Sequence, residues 1–266
     1  MLLRLLKQDI RSTGRIMVVL YAAVLVLAAV SRLLSSFMDK TVGSILIMIF
    51  SRVISVLFVV AVVACVAMTF VLMIIRFYKN FLTDEGYLMF TLPVTTGQLI
   101  WSKLLVAVLW VLVSAGVGVL ASYILTAGTD AQSIIFDIDF QELFEGFVPG
   151  EITVIVLLFI ATVLSYICYT YLRCYASMAV GQSFGSRKLL LSVVFYIAFG
   201  IAEDIISTSL LRPILNPDAL ENIATQMEPF RVVTGFFGAL CAFYFALCVI
   251  YFVVTYLFFR KKLNLQ

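Results

Sequence analysis

Six long apolar runs constrain this chain more than any other feature of its sequence. They fall at about residues 16–36, 44–75, 100–126, 152–180, 188–211 and 232–259. A helix that crosses a bilayer needs roughly 20 predominantly apolar residues, and each run is long enough to supply them. None shows the alternation with a period of two that marks a half-buried strand. The sequence therefore predicts an all-α integral membrane protein with six transmembrane helices.

The composition supports this class and excludes several kinds of site. The chain is 64% hydrophobic and 12% charged, whereas a soluble domain is about half apolar and about a quarter charged. It contains no histidine, which excludes Ser-His-Asp triads, HExxH zinc sites and haem held by histidine. The five cysteines lie inside the apolar runs without a CxxC pair, which favours packing over metal or redox roles. We therefore predict no catalytic and no metal-binding residues.

The charges between the runs orient the chain. Lys and Arg collect before span one, after spans two and four, and after span six, whereas the segment 129–151 carries six carboxylates and no Lys or Arg. Because cytoplasmic flanks favour Lys and Arg, we predict a multi-pass protein of the cell membrane with both termini in the cytoplasm and an extracellular loop at about 127–151. The basic N-terminus before an apolar run also matches a signal peptide, but removing span one would leave an odd number of spans.

The residues ahead of span one have an amphipathic pattern. Arg4, Lys7 and Arg11 share one face of a helix with a 3.6-residue period, and leucine and isoleucine occupy the other face. A helix of this kind lies in the headgroup layer with its basic face towards anionic lipid. We therefore predict an N-terminal interfacial helix at residues 1–15, followed by a six-span domain at 16–266. The alternative is a positively charged flank that only sets topology.

The segment between spans two and three has the features of a short cytoplasmic helix. Thr83 is suited to cap it, with Asp84 and Glu85 in the first turn, where the helix dipole favours anions. Pro93 disfavours helix at the preceding residue and so ends it. The helix displays apolar side chains beside the two carboxylates: Tyr87, Leu88, Met89, Phe90 and Leu92. An apolar patch rimmed by charge indicates a docking surface; the alternative is a re-entrant hairpin packed on the protein's own helices.

Helices are predicted on both sides of this segment. Span two continues past the membrane through Arg76 and Lys79. After the proline, Thr95 and Gln98 have the Thr-x-x-Gln spacing of a capping box, which predicts the start of the third span.

These segments resemble those of a known family. "DEGYLMFTLPVTTGQLIWSKLL" (84–105), "SMAVGQSFGSRKLLLS" (177–192) and "YLFFRKKLNL" (256–265) are similar to the corresponding parts of ABC-2-type transporter permeases, especially those of Gram-positive bacteria. The resemblance implies that residues 84–93 form the coupling helix, which fits a groove on a separate ATPase subunit, and that Met1–Arg15 is the connecting helix. The residues that it assigns to ATPase coupling are Thr83, Asp84, Glu85, Gly86, Tyr87, Leu88, Phe90, Thr91, Leu92 and Pro93.

The resemblance also implies partners. The chain contains no GxxxxGK[ST] motif, and "GQSFGSRK" at 181–188 lacks both its spacing and its Lys-Ser/Thr end. We therefore predict that this chain is not an enzyme and binds no cofactor. The resemblance implies that ATP and Mg²⁺ bind to separate ABC ATPase subunits. A second permease subunit, identical or related, is expected to enclose the substrate path with it. Export as the direction of transport rests on family analogy alone.

Four ionisable or polar residues within the spans are candidate substrate-path residues. Glu203 and Asp204 either form a substrate- or cation-facing pair or, as the sequence favours, lie at the outer interface, where the helix ends early or folds back. The resemblance implies that this outer region, at about 203–231, is re-entrant. Tyr169 and Arg173 share one helical face and either line an inner vestibule or serve as interfacial anchors, with Arg173 extending to the cytoplasmic surface. Two other functions stay open, an ion-coupled secondary transporter and a non-transporting scaffold or sensor; the substrate cannot be read.

Overall fold

The computed structural model describes residues 2–39, 45–82, 94–129, 132, 146–184, 188–211 and 228–262. Within these residues the regular elements are all helices. Their bounds are α1 Leu2–Asp39, α2 Ile45–Leu82, α3 Thr96–Thr126, α4 Pro149–Gly181, α5 Lys188–Leu211 and α6 Pro229–Lys262.

The predicted class is confirmed in its coarse form. All six helices are long and apolar enough to cross a membrane, and each contains most or all of one predicted span. The described residues contain no strand. The chain is therefore a helical, multi-pass membrane protein.

Two helices differ in extent from the predicted spans. Residues 2–15 join span one without a break in α1, so no boundary marks the interfacial helix predicted at 1–15. Helix α5 continues through Glu203 to Leu211, so the predicted outer region does not begin with a helix end at 203. Its remainder, residues 212–227, lies outside the described residues.

Short polar side chains within the helices bond to their own backbone. The hydroxyls of Thr13, Thr69 and Thr255 donate to the carbonyl four residues earlier, at 2.7 to 2.9 Å. Lipid offers no hydrogen-bond partner, so a polar group in a span must be satisfied within the protein. This local bonding explains how the apolar runs accommodate serine and threonine.

The chain divides into two units. The first contains residues 1–75 and 105–143 and the second residues 76–104 and 144–266. In the first unit, Trp110 connects α3 to α1: its indole Nε1 donates to Thr13 Oγ1 at 2.9 Å, and its carbonyl accepts from Tyr21 Oη at 3.1 Å. A buried Trp finds a partner for its N–H, and here the partner fixes the pairing of two helices.

In the second unit, α4 packs against both α5 and α6. Helices α4 and α5 lie very close to each other at Gly181, since an added Cβ there would lie 2.6 Å from the backbone nitrogen of Ser192. Small residues allow helix backbones to approach in membranes, where packing rather than the hydrophobic effect drives association. Gly181 therefore sets the spacing of α4 and α5 at this end.

The last turns of α2 also belong to the second unit. Phe77 stacks on Tyr175 of α4 with ring centroids 3.6 Å apart, and Phe81 stacks on Phe259 of α6 at 5.2 Å. All four side chains are buried. This aromatic cluster, Phe77, Phe81, Tyr175 and Phe259, holds the end of α2 against α4 and α6.

Candidate functional site: a buried charged cluster within the spans

A charged cluster joins the three helices α4, α5 and α6 of the second unit. Glu203 of α5 accepts from the hydroxyl of Tyr169 at 2.5 Å through one carboxylate oxygen and from the hydroxyl of Tyr251 through the other. Arg173 of α4 pairs with the same carboxylate, Nη1 to Oε2, at 3.1 Å. We call Tyr169, Arg173, Glu203 and Tyr251, together with Tyr196, the Glu203 cluster.

The guanidinium of Arg173 has further partners on α4 and α5. Its Nη1 donates to the hydroxyl of Tyr169 at 3.1 Å, and its Nη2 donates to the carbonyl of Tyr196 at 3.0 Å. The guanidinium carbon lies 4.2 Å from the centre of the Tyr196 ring, within cation–π range. Its Nε is buried without a hydrogen-bond partner in the described part of the chain.

The cluster lies well inside the spans. Glu203 is only 7% exposed, and the side chain of Arg173 is 17% exposed. Tyr169 is three turns before Gly181, the last residue of α4, and at 1.5 Å per residue that separation is roughly 18 Å. Glu203 is about four turns from Lys188 at the start of α5, roughly 22 Å. Both charged residues thus lie at least seven residues from either end of a candidate membrane span.

Charged side chains inside a membrane span need partners, and the structure supplies them for Arg173 and Glu203. An isolated charge at the centre of a bilayer is costly, so charges in spans pair with each other and mark substrate paths, ion paths or proton relays. The carboxylate here has two hydroxyl donors and a guanidinium, and this shell neutralises its charge and uses both its oxygens. The arrangement can hold three helices in register, and it supplies groups able to exchange a proton or receive a charged ligand if the pair opens.

The structure unites three of the four candidate substrate-path residues. Tyr169 and Arg173 share a face of α4, as predicted, and Glu203 lies against that face. Arg173 pairs with Glu203 instead of extending to the membrane surface. Asp204 is exposed and on a different face of α5. The two acidic residues therefore lie on different faces of α5, with Glu203 against Arg173 and Asp204 exposed. Their predicted position at the outer interface stays a prediction.

Sequence reasoning missed two members of the Glu203 cluster. Tyr251 lies in an apolar aromatic run of α6, and Tyr196 in a similar run of α5. Tyrosine in such a run is typical of an interfacial anchor or of ordinary packing. No local pattern distinguishes a tyrosine that meets a distant carboxylate, because only the packing of α6 beside α4 and α5 brings the two residues together.

The predicted coupling segment, residues 83–93, lies outside the described residues, and its flanks are described. On the near side, α2 ends at Leu82. On the far side, the Thr95–Gln98 capping box is confirmed: Gln98 N donates to Thr95 Oγ1 and Thr95 N donates to Gln98 Oε1, both at 3.4 Å.

Two residues of the basic face predicted near the N-terminus, Lys7 and Arg11, are exposed on α1. The side chain of the third, Arg4, lies outside the described part of the structure.

Comparison of the chain with protein-family models, with curated proteins and with solved structures finds no match. A functional assignment therefore depends on the chain's own residues and on the resemblance of its motifs.

Gly200 gives a first test of the Glu203 cluster. A Cβ at this position would clash with Nη2 of Arg173. We expect Gly200→Ala to displace the guanidinium and lower the free energy of unfolding by about 1–3 kcal/mol, the usual cost of overpacking. Thermal unfolding of the purified chain in detergent measures this. Gly238→Ala is the control, because an added Cβ there meets no described atom within 4 Å; equal stability of both variants would contradict the tight contact.

Proposed function

We propose that this chain is the permease subunit of an ATP-driven transporter of the ABC-2 type, an exporter whose ATPase is a separate chain. It works with a second permease subunit in the cell membrane, with both termini in the cytoplasm. ATP and Mg²⁺ bind to the partner ATPase, because the P-loop motif is missing from this sequence.

The observation that carries the proposal is the pair of helix ends around residues 83–93. Helix α2 extends past Arg76 and Lys79 and ends at Leu82, with Phe77 and Phe81 buried in the aromatic cluster. Helix α3 then begins behind a reciprocal cap at Thr95 and Gln98. Both flanks are thus firmly placed within the second unit, the unit that also contains the Glu203 cluster.

This anchoring supports a role in transmitting force. The acidic, aromatic sequence "TDEGYLMFTLP" (83–93) resembles the coupling helix of ABC-2 permeases. A partner that moved this segment would pull on α2, and through the stacked pair Phe77–Tyr175 it would act on α4. Helix α4 carries Tyr169 and Arg173, so a direct chain of contacts links the end of α2 to the buried charges.

Variants of the coupling segment test the proposal. We expect Asp84→Lys with Glu85→Lys, and separately Tyr87→Ala with Phe90→Ala, to weaken ATPase binding at least tenfold. In the lysine variant, like charges opposed at the interface cost several kcal/mol of binding free energy. In the alanine variant, truncated aromatic anchors commonly cost about 2 kcal/mol. A loss of about 1.4 kcal/mol already lowers the affinity tenfold. The tagged chain is purified from its native membranes, and copurifying P-loop ATPase is quantified by mass spectrometry and by the ATP turnover of the purified complex.

A matched control reverses two charges elsewhere. Asp137→Lys with Asp139→Lys makes the same change in the acidic loop predicted to be extracellular, and it should leave ATPase binding intact. Normal binding by both coupling-segment variants would overturn the coupling-helix assignment. Failure of both to insert into the membrane would show that the segment is an internal packing hairpin.

One observation favours a second candidate, an ion-coupled secondary transporter. That class needs a buried carboxylate within the spans, and Glu203 meets this requirement. Its pairing with Arg173 weighs against free ion exchange, because the carboxylate charge is already balanced. Transport by the chain alone in vesicles, driven by an ion gradient without nucleotide, would favour this candidate over the permease.

A further inference from the structure

A second feature of the second unit is an apolar cavity between α3, α4 and α6. Its volume is 360 Å³, and its walls include Trp101, Leu104, Cys168, Leu172, Phe245 and Phe252. The cavity is distinct from the Glu203 cluster. Cys168 and Leu172 of α4 line the cavity, whereas Tyr169 and Arg173, on the adjacent face of α4, belong to the cluster. Ligand sites in proteins begin at about 300 Å³, so the cavity is large enough for part of a ligand.

The wall offers almost no hydrogen bonding to an occupant. Among the described residues that line it, Ser165 alone carries a hydroxyl, and that hydroxyl lies 3.8 Å from the sulfur of Cys241. The thiol of Cys248 donates to the carbonyl of Ser165 at 3.4 Å. A polar ligand group placed here would lose its hydrogen bonds to water and gain none. The cavity therefore suits hydrocarbon.

The face of α6 that lines the cavity continues into polar residues. Phe245, Val249 and Phe252 lie on it at intervals of four and three residues. The next positions on the same face, at intervals of four, are Tyr256 and Arg260. Tyr256 is half-buried and Arg260 is exposed near the end of the helix. Along this face the chemistry changes from apolar to phenolic to cationic.

Trp101 indicates where the cavity reaches the membrane surface. It lies in the second turn of α3, is 46% exposed, and its ring centre is 5.4 Å from that of Phe252. Tryptophan favours the membrane–water interface, where its apolar ring and polar N–H are both accommodated. Trp101 and Arg260 therefore mark the interfacial end, and Phe245 marks the end towards the membrane interior.

We propose that this cavity binds one acyl chain of an anionic phospholipid whose phosphate is held at Arg260. The order of the groups on α6 matches the order in such a lipid: hydrocarbon against Phe245 to Phe252, the ester region beside Tyr256, and phosphate at the guanidinium. The proposal does not depend on the transport function. The acyl chain moves from one apolar medium to another, so it gives little preference for one lipid over another. The contact with the headgroup therefore decides which lipid binds, and a basic residue near the membrane surface favours an anionic one.

Photocrosslinking tests the site. The full chain is reconstituted in phosphatidylcholine vesicles with a small fraction of phosphatidylglycerol carrying a diazirine near the middle of one acyl chain. We expect crosslinks concentrated in residues 164–172 and 245–252. Crosslinks spread equally over other lipid-exposed positions, such as Val56 and Val63 of α2, would overturn the proposal.

Two matched pairs of variants sharpen the test. Leu164→Trp fills the cavity and should remove most crosslinks, whereas Leu157→Trp makes the same change at an exposed position of α4 outside the cavity. Arg260→Gln should reduce the preference for phosphatidylglycerol over phosphatidylcholine about fivefold, the equivalent of about 1 kcal/mol. Arg231→Gln, at the other end of α6, should leave it unchanged. Equal effects within either pair would contradict the proposed site.

The unmodified chain provides a check that does not depend on the folding of any variant. Cys168 and Cys248 line the cavity, whereas the half-buried Cys241 does not. Alkylation of the first two by N-ethylmaleimide should slow as the phosphatidylglycerol content rises, with Cys241 unaffected. Protection that depends on protein concentration instead of lipid composition would show that a second copy of the chain covers the cavity, and would reject the lipid proposal.

Discussion

Glu203→Leu is expected to destabilise the protein more than any other single substitution in the spans, by about 3–5 kcal/mol. Removing one partner of a buried ion pair leaves the other charge buried and uncompensated. Here the change leaves Arg173 inside the spans and removes the acceptor of two tyrosine hydroxyls. The measurement is the fraction of protein that stays folded and monodisperse after heating in detergent.

The double variant Arg173→Met with Glu203→Gln distinguishes a charge effect from loss of shape. The introduced glutamine still accepts a hydrogen bond, and methionine replaces the arginine with a neutral chain, so most of the stability should return. Asp204→Asn is the control at the exposed neighbouring position, with an expected change within about 0.5 kcal/mol. A Glu203→Leu variant as stable as Asp204→Asn would show that the ion pair does not support the fold.

The double variant also assigns a role to the Glu203 cluster. If it folds and transports normally, the cluster only holds α4, α5 and α6 together. If it folds and does not transport, the charges belong to the substrate or ion path.

Gly181→Ala is expected to have the second largest effect, a loss of about 3 kcal/mol or more, at the upper end of overpacking costs. The added Cβ would lie 2.6 Å from the backbone nitrogen and 2.8 Å from the Cα of Ser192. A flexible side chain can move aside, but these are backbone atoms, so α4 and α5 would have to separate. The same thermal measurement in detergent applies.

Gly235→Ala in α6 is the matched control for this prediction. No described atom lies within 4 Å of its added Cβ, and Ala favours helix over Gly by about 1 kcal/mol. Its stability should therefore stay the same or rise. A Gly181→Ala variant that behaved like Gly235→Ala would mean that the helices are not in contact at Ser192.

Local sequence patterns predicted those features that depend only on residues close together in the chain. The length of each apolar run predicted a span because the bilayer thickness sets a minimum helix length. The Thr95–Gln98 cap followed from a four-residue pattern, and the structure confirms both of its bonds. The shared face of Tyr169 and Arg173 followed from helix periodicity.

Prediction failed where a residue's partner is distant in sequence. Glu203 and Asp204 are adjacent, and the prediction from sequence gave both the same position and role. In the structure one carboxylate is buried against Arg173 and the other is exposed. Consecutive residues on a helix point in directions about 100° apart, so the packing of α5 on α4 decides which of the two is buried. Sequence periodicity cannot show which face of α5 meets α4.

The sequence by itself determined the class of the protein, its six spans, the start of α3 and the lack of a P-loop, because each depends on composition or on residues within one or two helical turns. Only the tertiary structure decided that Arg173 pairs with Glu203, that Tyr251 completes the cluster, and that α3, α4 and α6 enclose an apolar cavity. These features join residues that are far apart in the chain. In lipid, where all apolar faces are equally well solvated, close packing and the pairing of buried polar groups select which faces meet.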